Sequence, residues 1–257
     1  MKILLKTLCR TVEMRKAAMF TLVALMCTLV SSQYAKMEGI DNLNFILMAL
    51  CGGLAWKYNL PILFSLWLIP AVMVAYNNGV SVENEYGLYR YIAPRYGRRC
   101  AWPICEICCT IIRGAGFATL LLVIGILVGT LNRTQGGVSL PSFVSEAEAK
   151  VLCGNGISFA GELFVMTALR FSTIGLIVMT MHMLPRYGTQ AGFAVVLTNE
   201  VIAFFNTTRW VPFFTFYTAS KAGWLLSSMV AFGVLGLAVI IGIYAVLFGN
   251  AARNAMM

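Results

Sequence analysis

The sequence predicts an all-α, polytopic membrane protein, and three observations support that fold class. The chain of 257 residues is 60% hydrophobic and 11% charged, with a mean hydropathy of +0.81, whereas an average soluble domain carries roughly 25% charged residues. Several runs of about 20 apolar residues are long enough to cross a hydrocarbon core of roughly 30 Å as helices. The alternating ~10-residue segments that a transmembrane β-barrel needs are not seen.

Six transmembrane helices in a single transmembrane domain, residues 1–257, fit the apolar pattern best. Residues 1–16 combine an apolar and a charged stripe at helical spacing, which predicts an amphipathic elbow helix on the cytoplasmic membrane surface. The start also resembles a signal peptide, and we expect it to be retained as an anchor. Residues 44–58 are short for a span, so we expect a re-entrant or interfacial helix there. The predicted spans cover about residues 17–33, 60–77, 104–131, 160–183, 190–206 and 224–248.

The distribution of basic residues predicts the orientation of these spans, because cytoplasmic loops carry an excess of Lys and Arg. With six spans and a cytoplasmic N-terminus, the arginines of residues 90–99 face the cytoplasm. If residues 44–58 also crossed, seven spans would place these arginines outside. Six spans with both termini cytoplasmic are therefore preferred. The net charge of +9 fits this orientation and contact with anionic lipids, so we expect no nucleic-acid partner.

Residues 83–100 hold the densest charge of the chain and predict a cytoplasmic loop between the second and third spans. The segment ENEYGLYRYIA can form a short helix, which should end near Ala93 because the residue before Pro94 disfavours the α conformation. Tyrosine and arginine are frequent anchors of protein interfaces, so this segment suits the docking of a cytosolic protein. The alternative is that these residues are ordinary interfacial aromatics and topology-setting arginines.

The segment from residue 83 onward has the order E-x-E-x-G, about seven residues, a proline, a basic turn and a span. This order resembles the permease subunits of type-2 ATP-binding-cassette exporters. The layout and size are similar to the small six-span permeases of bacteriocin or lantibiotic immunity and peptide export. The resemblance implies a bacterial cell-membrane location, a second permease subunit, identical or paralogous, and a cytosolic ATPase that binds the loop as a coupling helix. It implies an ATPase-coupling role for Glu83, Glu85, Tyr86, Gly87, Tyr89, Arg90, Pro94 and Arg95.

The chain has no G-x-x-x-x-G-K-[ST] phosphate loop, so we expect no ATPase activity and no cofactor bound by this chain. ATP and Mg²⁺ would then bind the partner ATPase. The expected function is export of a peptide or an amphipathic, lipid-like molecule. Two alternatives stay open: a membrane anchor subunit that does not transport, and an intramembrane enzyme. The enzyme is disfavoured because the chain has one histidine, His182, and no H-E-x-x-H pattern.

Ionisable side chains inside the predicted spans are costly, and each calls for a partner or a function. Arg170 and Glu200 each lie about ten residues, or 15 Å, into consecutive antiparallel spans. We expect them to pair, either as a static link or as a polar part of the transport route. Arg113 should reach the cytoplasmic interface, and Glu106 should lie near water at a span end. With one histidine and one C-x-x-C motif, no metal site is predicted. The glycines of the third span suit close helix packing.

Overall fold

The computed structural model describes residues 14–37, 43–51, 60–96, 101–131, 156–183, 188–205 and 226–254. Within these ranges the chain is helical and has no strand, which confirms the all-α class. The helices are α1 (Met14–Met37), α2 (Leu43–Cys51), α3 (Leu60–Tyr96), α4 (Ala101–Leu131), α5 (Gly156–His182), α6 (Gly188–Phe205) and α7 (Leu226–Asn254).

Three of these helices contain a segment long and apolar enough to cross a membrane: Lys16–Met37, Pro103–Leu131 and Leu163–His182. Each of the six predicted spans overlaps one of the longer helices. A membrane-embedded helical protein is therefore supported at this level, and the six-span arrangement stays a prediction. The predicted elbow helix lies outside the described residues except for positions 14–16, which begin α1.

The outward faces of several helices are apolar, as expected of surfaces that contact lipid. Large exposed hydrophobic side chains recur along α1, α4, α6 and α7, where a soluble monomer would carry charged groups. Examples are Leu22, Met26, Ile112, Ile202 and Val246. The exterior of the helical bundle thus agrees with the composition of the chain.

Helix α3 is a continuous helix of 37 residues, and it corrects two predictions. The short helix expected in the loop is not a separate element, because residues 83–96 continue α3. The expected helix end near Ala93 is also wrong, since α3 runs past Pro94 to Tyr96. The preference of the residue before a proline is a bias only. In the last turn Pro94 removes a single hydrogen bond, the one to the carbonyl of Arg90, so the helix can continue.

The short helix α2 packs within the bundle. Its nine residues span about 14 Å, less than half of a hydrocarbon core. Phe45, Leu47 and Leu50 are fully buried, and the main-chain carbonyl of Ile46 accepts a hydrogen bond from Ser31 Oγ of α1 at 3.1 Å. Residues 52–58 lie outside the described residues, so the expected re-entrant or interfacial character of residues 44–58 stays a prediction.

Helix α5 occupies the centre of the bundle and packs against α2, α3, α4, α6 and α7. All residues from 171 to 180 are buried, and a helix that is buried on every side must contact neighbours all round. Phe171 of α5 makes an edge contact with Phe20 of α1, at 6.1 Å between ring centroids. Phe20 in turn packs on Phe117 of α4 at 4.5 Å.

Glycine allows the close approach of α4 and α5, as the sequence suggested for the third span. A Cβ atom added to Gly114 would lie 2.6 Å from the main-chain nitrogen of Ser172 on α5. Gly125 and Gly129 lie similarly close to leucine side chains of α2. Gly116 has open space around it, so its expected packing role is not found.

Candidate functional site

The structure brings Arg170 of α5 and Glu200 of α6 into direct contact. Arg170 Nε donates to Glu200 Oε2 at 3.0 Å, and Arg170 Nη2 donates to the same oxygen. The two side chains are 1% and 0% exposed. Burial of two charges costs several kcal/mol per ion, and a close pair with further hydrogen bonds offsets that cost in part. The two predicted residues therefore form a buried ion pair.

Trp67 of α3 completes this cluster and ties a third helix to it. Arg170 Nη2 also donates to the Trp67 main-chain carbonyl at 2.8 Å. The guanidinium carbon lies 3.4 Å from the centroid of the Trp67 ring. Trp67 Nε1 donates in return to the Glu200 main-chain carbonyl at 3.3 Å. A desolvated cation–π contact is worth about 2 kcal/mol. We refer to Trp67, Arg170 and Glu200 as the Trp–Arg–Glu cluster.

Sequence reasoning missed Trp67, although Pro70 carries a signal for it. A proline inside a helix has no N–H, so the carbonyl of Leu66 loses its normal donor. Such interruptions are tolerated in membrane helices because neighbouring groups satisfy the freed backbone. Trp67 lies in the same turn, and its carbonyl accepts the bond from Arg170. Pro70 therefore lies in the same turn as the carbonyl that Arg170 binds, although the carbonyl that it leaves without a donor is that of Leu66.

Two polar atoms of the Trp–Arg–Glu cluster keep unused bonding capacity. Arg170 Nη1 and Glu200 Oε1 are buried and have no hydrogen-bond partner among the described residues. An unsatisfied buried polar group costs about 1–3 kcal/mol. A water molecule or a polar group of a bound molecule can satisfy such atoms. The described residues therefore do not satisfy every polar atom of the cluster.

Glu106 and Tyr244 form a second buried polar contact, between α4 and α7. The Tyr244 hydroxyl donates to Glu106 Oε2, and the two residues are 0% and 1% exposed respectively. The expectation that Glu106 lies near water is therefore wrong, because α7 and the end of α5 cover the first turns of α4. Arg113 is also buried, at 8% exposure, rather than extended to an interface.

A third polar group, the amide cluster, consists of Asn77, Asn78 and Ser81 of α3 together with Lys16 of α1. Lys16 Nζ donates to Ser81 Oγ at 3.3 Å, and Asn78 Nδ2 donates to the carbonyl of Val74 at 2.9 Å. Asn77 and Asn78 are 3% and 1% exposed. Sequence reasoning missed this cluster because it weighed ionisable residues and not amides; the Asn-Asn pair within an apolar helix was the available signal.

The eight residues with a predicted coupling role all lie in the last part of α3. Their backbone is helical and continuous with the turns that carry Trp67 and the amide cluster. Their side chains lie outside the described residues, so their contacts stay a prediction. These residues are Glu83, Glu85, Tyr86, Gly87, Tyr89, Arg90, Pro94 and Arg95.

Comparisons of the chain with models of protein families, with curated proteins and with solved structures find no match.

Proposed function

We propose that the protein is the transmembrane permease subunit of an ATP-driven exporter of the type-2 ATP-binding-cassette kind. It forms the translocation path with a second permease subunit, identical or paralogous. A separate cytosolic ATPase binds ATP and Mg²⁺ and supplies the energy. The cargo is a peptide or an amphipathic, lipid-like molecule.

The observation that carries this proposal is the length of α3 and the positions of Trp67 and the charged residues along it. A helix of 37 residues is about 55 Å long, well beyond a hydrocarbon core of roughly 30 Å. Its last turns hold the charged coupling residues, and its first turns hold Trp67. A protein that grips one end of this helix moves the other end with it. That arrangement supports transmission of a cytosolic movement to the Trp–Arg–Glu cluster.

In the proposed mechanism, movement of the ATPase changes the Trp–Arg–Glu cluster, where three helices meet. Closure of the ATPase dimer displaces residues 83–95, and α3 carries this displacement to Trp67. Trp67 holds Arg170 by stacking and by a main-chain hydrogen bond, so its movement changes the position of the Arg170–Glu200 pair relative to α3. The unused polar atoms of that pair then become available to cargo or to water.

The proposed membrane arrangement follows from the distribution of charge. The protein lies in the bacterial cell membrane as a multi-pass protein with six spans and both termini in the cytoplasm. The arginines of residues 90–99 then face the cytosol, in agreement with the positive-inside rule. The exposed apolar faces of α1, α4, α6 and α7 contact lipid or the second permease subunit.

Co-purification with a partner ATPase tests this proposal. The tagged protein, extracted from its native membrane, is expected to bring down an ATPase in stoichiometric amount. Tyr89→Ala, in the coupling segment, should reduce the recovered ATPase at least about tenfold, since tyrosines are frequent interface hot spots. Tyr76→Ala is the matched control, because Tyr76 is also on α3 and is 48% exposed, but lies before the coupling segment.

The alternatives give different results in the same experiment. If the protein is only a membrane anchor, it should bind a partner, but removing the protein should not change the rate at which that partner hydrolyses ATP. An intramembrane enzyme would be active without any ATPase. If no ATPase is recovered, or if Tyr76→Ala and Tyr89→Ala reduce its recovery equally, the proposed coupling is wrong.

A further inference from the structure

We infer that the amide cluster of Asn77, Asn78, Ser81 and Lys16 is a hydrated pocket between α1, α3, α4 and α5, whose ligand is water or another uncharged hydrogen-bonding group. The inference does not depend on the proposed function, since it concerns only the polar atoms inside the bundle.

The strongest observation is the unused bonding capacity of two adjacent asparagines. Asn77 Nδ2, Asn77 Oδ1 and Asn78 Oδ1 are buried and have no hydrogen-bond partner among the described residues. Buried polar groups are nearly always hydrogen-bonded, to protein or to ordered water. Three such atoms within one turn of a helix therefore indicate bound water rather than three separate exceptions.

The unsatisfied atoms lie on consecutive residues of α3 and so on neighbouring faces of that helix. Asn77 and Ser81 are four residues apart and share a face of α3, and Ser81 accepts from Lys16 of α1. Asn78 faces α4 and α5 at Gly175. A Cβ atom on Gly175 would lie 3.0 Å from Asn78 Nδ2 and 2.6 Å from the Thr110 side chain. Glycine at this position therefore lets the Asn78 amide and the Thr110 side chain pack directly against the backbone of α5.

The chemistry of the lining selects the ligand. Each asparagine amide offers both a donor and an acceptor, which matches water, a hydroxyl or a peptide amide. The ammonium group of Lys16 lies on the same side of α3 and disfavours a bound cation.

Reaction of introduced cysteines with a water-soluble thiol reagent tests the inference. Ser81→Cys and Asn77→Cys report on the pocket. Ser31→Cys is the matched control, because Ser31 is equally buried but donates to the Ile46 carbonyl at the α1–α2 contact. The full-length protein in permeabilised membranes is treated with 2-sulfonatoethyl methanethiosulfonate. Peptide mass spectrometry measures how much reagent has bound at each position. The protein without an introduced cysteine, treated in the same way, shows the reaction of the native cysteines.

Because the thiolate is the reacting species and forms in water, Ser81→Cys and Asn77→Cys should react at least about tenfold faster than Ser31→Cys. Equal slow reaction of all three would overturn the inference, and so would equal fast reaction, which indicates general opening of the bundle. If a cysteine variant does not fold, the melting temperature of Asn77→Leu tests the inference instead.

If the pocket is hydrated, leucine displaces bound water and the melting temperature falls. If the pocket is dry, leucine removes unsatisfied polar atoms and the melting temperature rises, which would contradict the inference.

Discussion

At the scale of single residues, the Arg170–Glu200 pair is better explained by specificity or movement than by stability. Replacing a buried ion pair by apolar side chains of similar volume is often neutral or stabilising. Here the pair also binds the backbone and ring of Trp67, so it fixes the relative positions of α3, α5 and α6. A pair that links three helices in this way specifies one arrangement of those helices.

This view predicts the outcome of a double-mutant cycle with Arg170→Met and Glu200→Met. Each single change leaves one buried charge without its partner and should destabilise the protein by about 3–5 kcal/mol. The double variant leaves no buried charge and should be more stable than either single variant. Thermal unfolding of the purified protein in detergent measures these differences.

The exposed Lys36 of α1 provides the control for loss of a charge as such. Lys36→Met should change stability little, because a surface charge contributes about 0–1 kcal/mol. If the double variant loses as much stability as the two single variants together, Arg170 and Glu200 are not energetically coupled.

The sequence predicts part of this site and misses the rest for a physical reason. Arg170 and Glu200 stand out because a charge within an apolar run needs a partner, and counting residues from the span ends places both at the same depth. Trp67 and Asn77 do not stand out in this way, since aromatic and amide side chains are tolerated in membrane helices. The role of Trp67 emerges only from its three-dimensional contact with Arg170, and that of Asn77 from the burial of its amide without a partner among the described residues.

At the scale of helices, α3 is the element whose structure changes the functional argument most. A local signal, Pro94, predicts an end to the helix, and the chain continues through it to Tyr96. The first part of the predicted loop, residues 83–96, thereby becomes the end of a continuous helix. Along α3 the Trp–Arg–Glu cluster, the amide cluster and the predicted coupling residues follow one another, so a single helix connects all three.

The α4–α5 contact yields a prediction at this scale, because two glycines of α4 differ only in their surroundings. Gly114→Ala should separate the helices and destabilise the protein by about 1–3 kcal/mol, since overpacking forces the backbone to shift. The new Cβ atom would meet the Ser172 backbone at 2.6 Å. Gly116→Ala meets no atom within 4 Å and should cause no loss. Comparable losses of thermal stability in both variants would contradict the described contact.

At the scale of the whole molecule, composition predicts the class of fold but not the arrangement of helices. In a membrane, both the lipid-facing and the protein-facing sides of a helix are apolar, so the hydrophobic pattern does not identify the buried face. The central place of α5 and the inclusion of α2 in the core could not be deduced for this reason. Charge is informative where hydrophobicity is not, and it predicts the orientation of the spans.

The central claim is that the charged end of α3 lies in the cytosol, where an ATPase can bind it. Two native cysteines test this without any substitution: Cys100 follows α3 and is predicted to be cytoplasmic, and Cys153 lies in a predicted outer loop. Intact cells and permeabilised cells are treated with a membrane-impermeant thiol reagent, and peptide mass spectrometry reads both positions. The account predicts that Cys153 reacts in intact cells and that Cys100 reacts only after permeabilisation. Reaction of Cys100 in intact cells would contradict the cytosolic position of this segment and, with it, the proposed coupling to an ATPase.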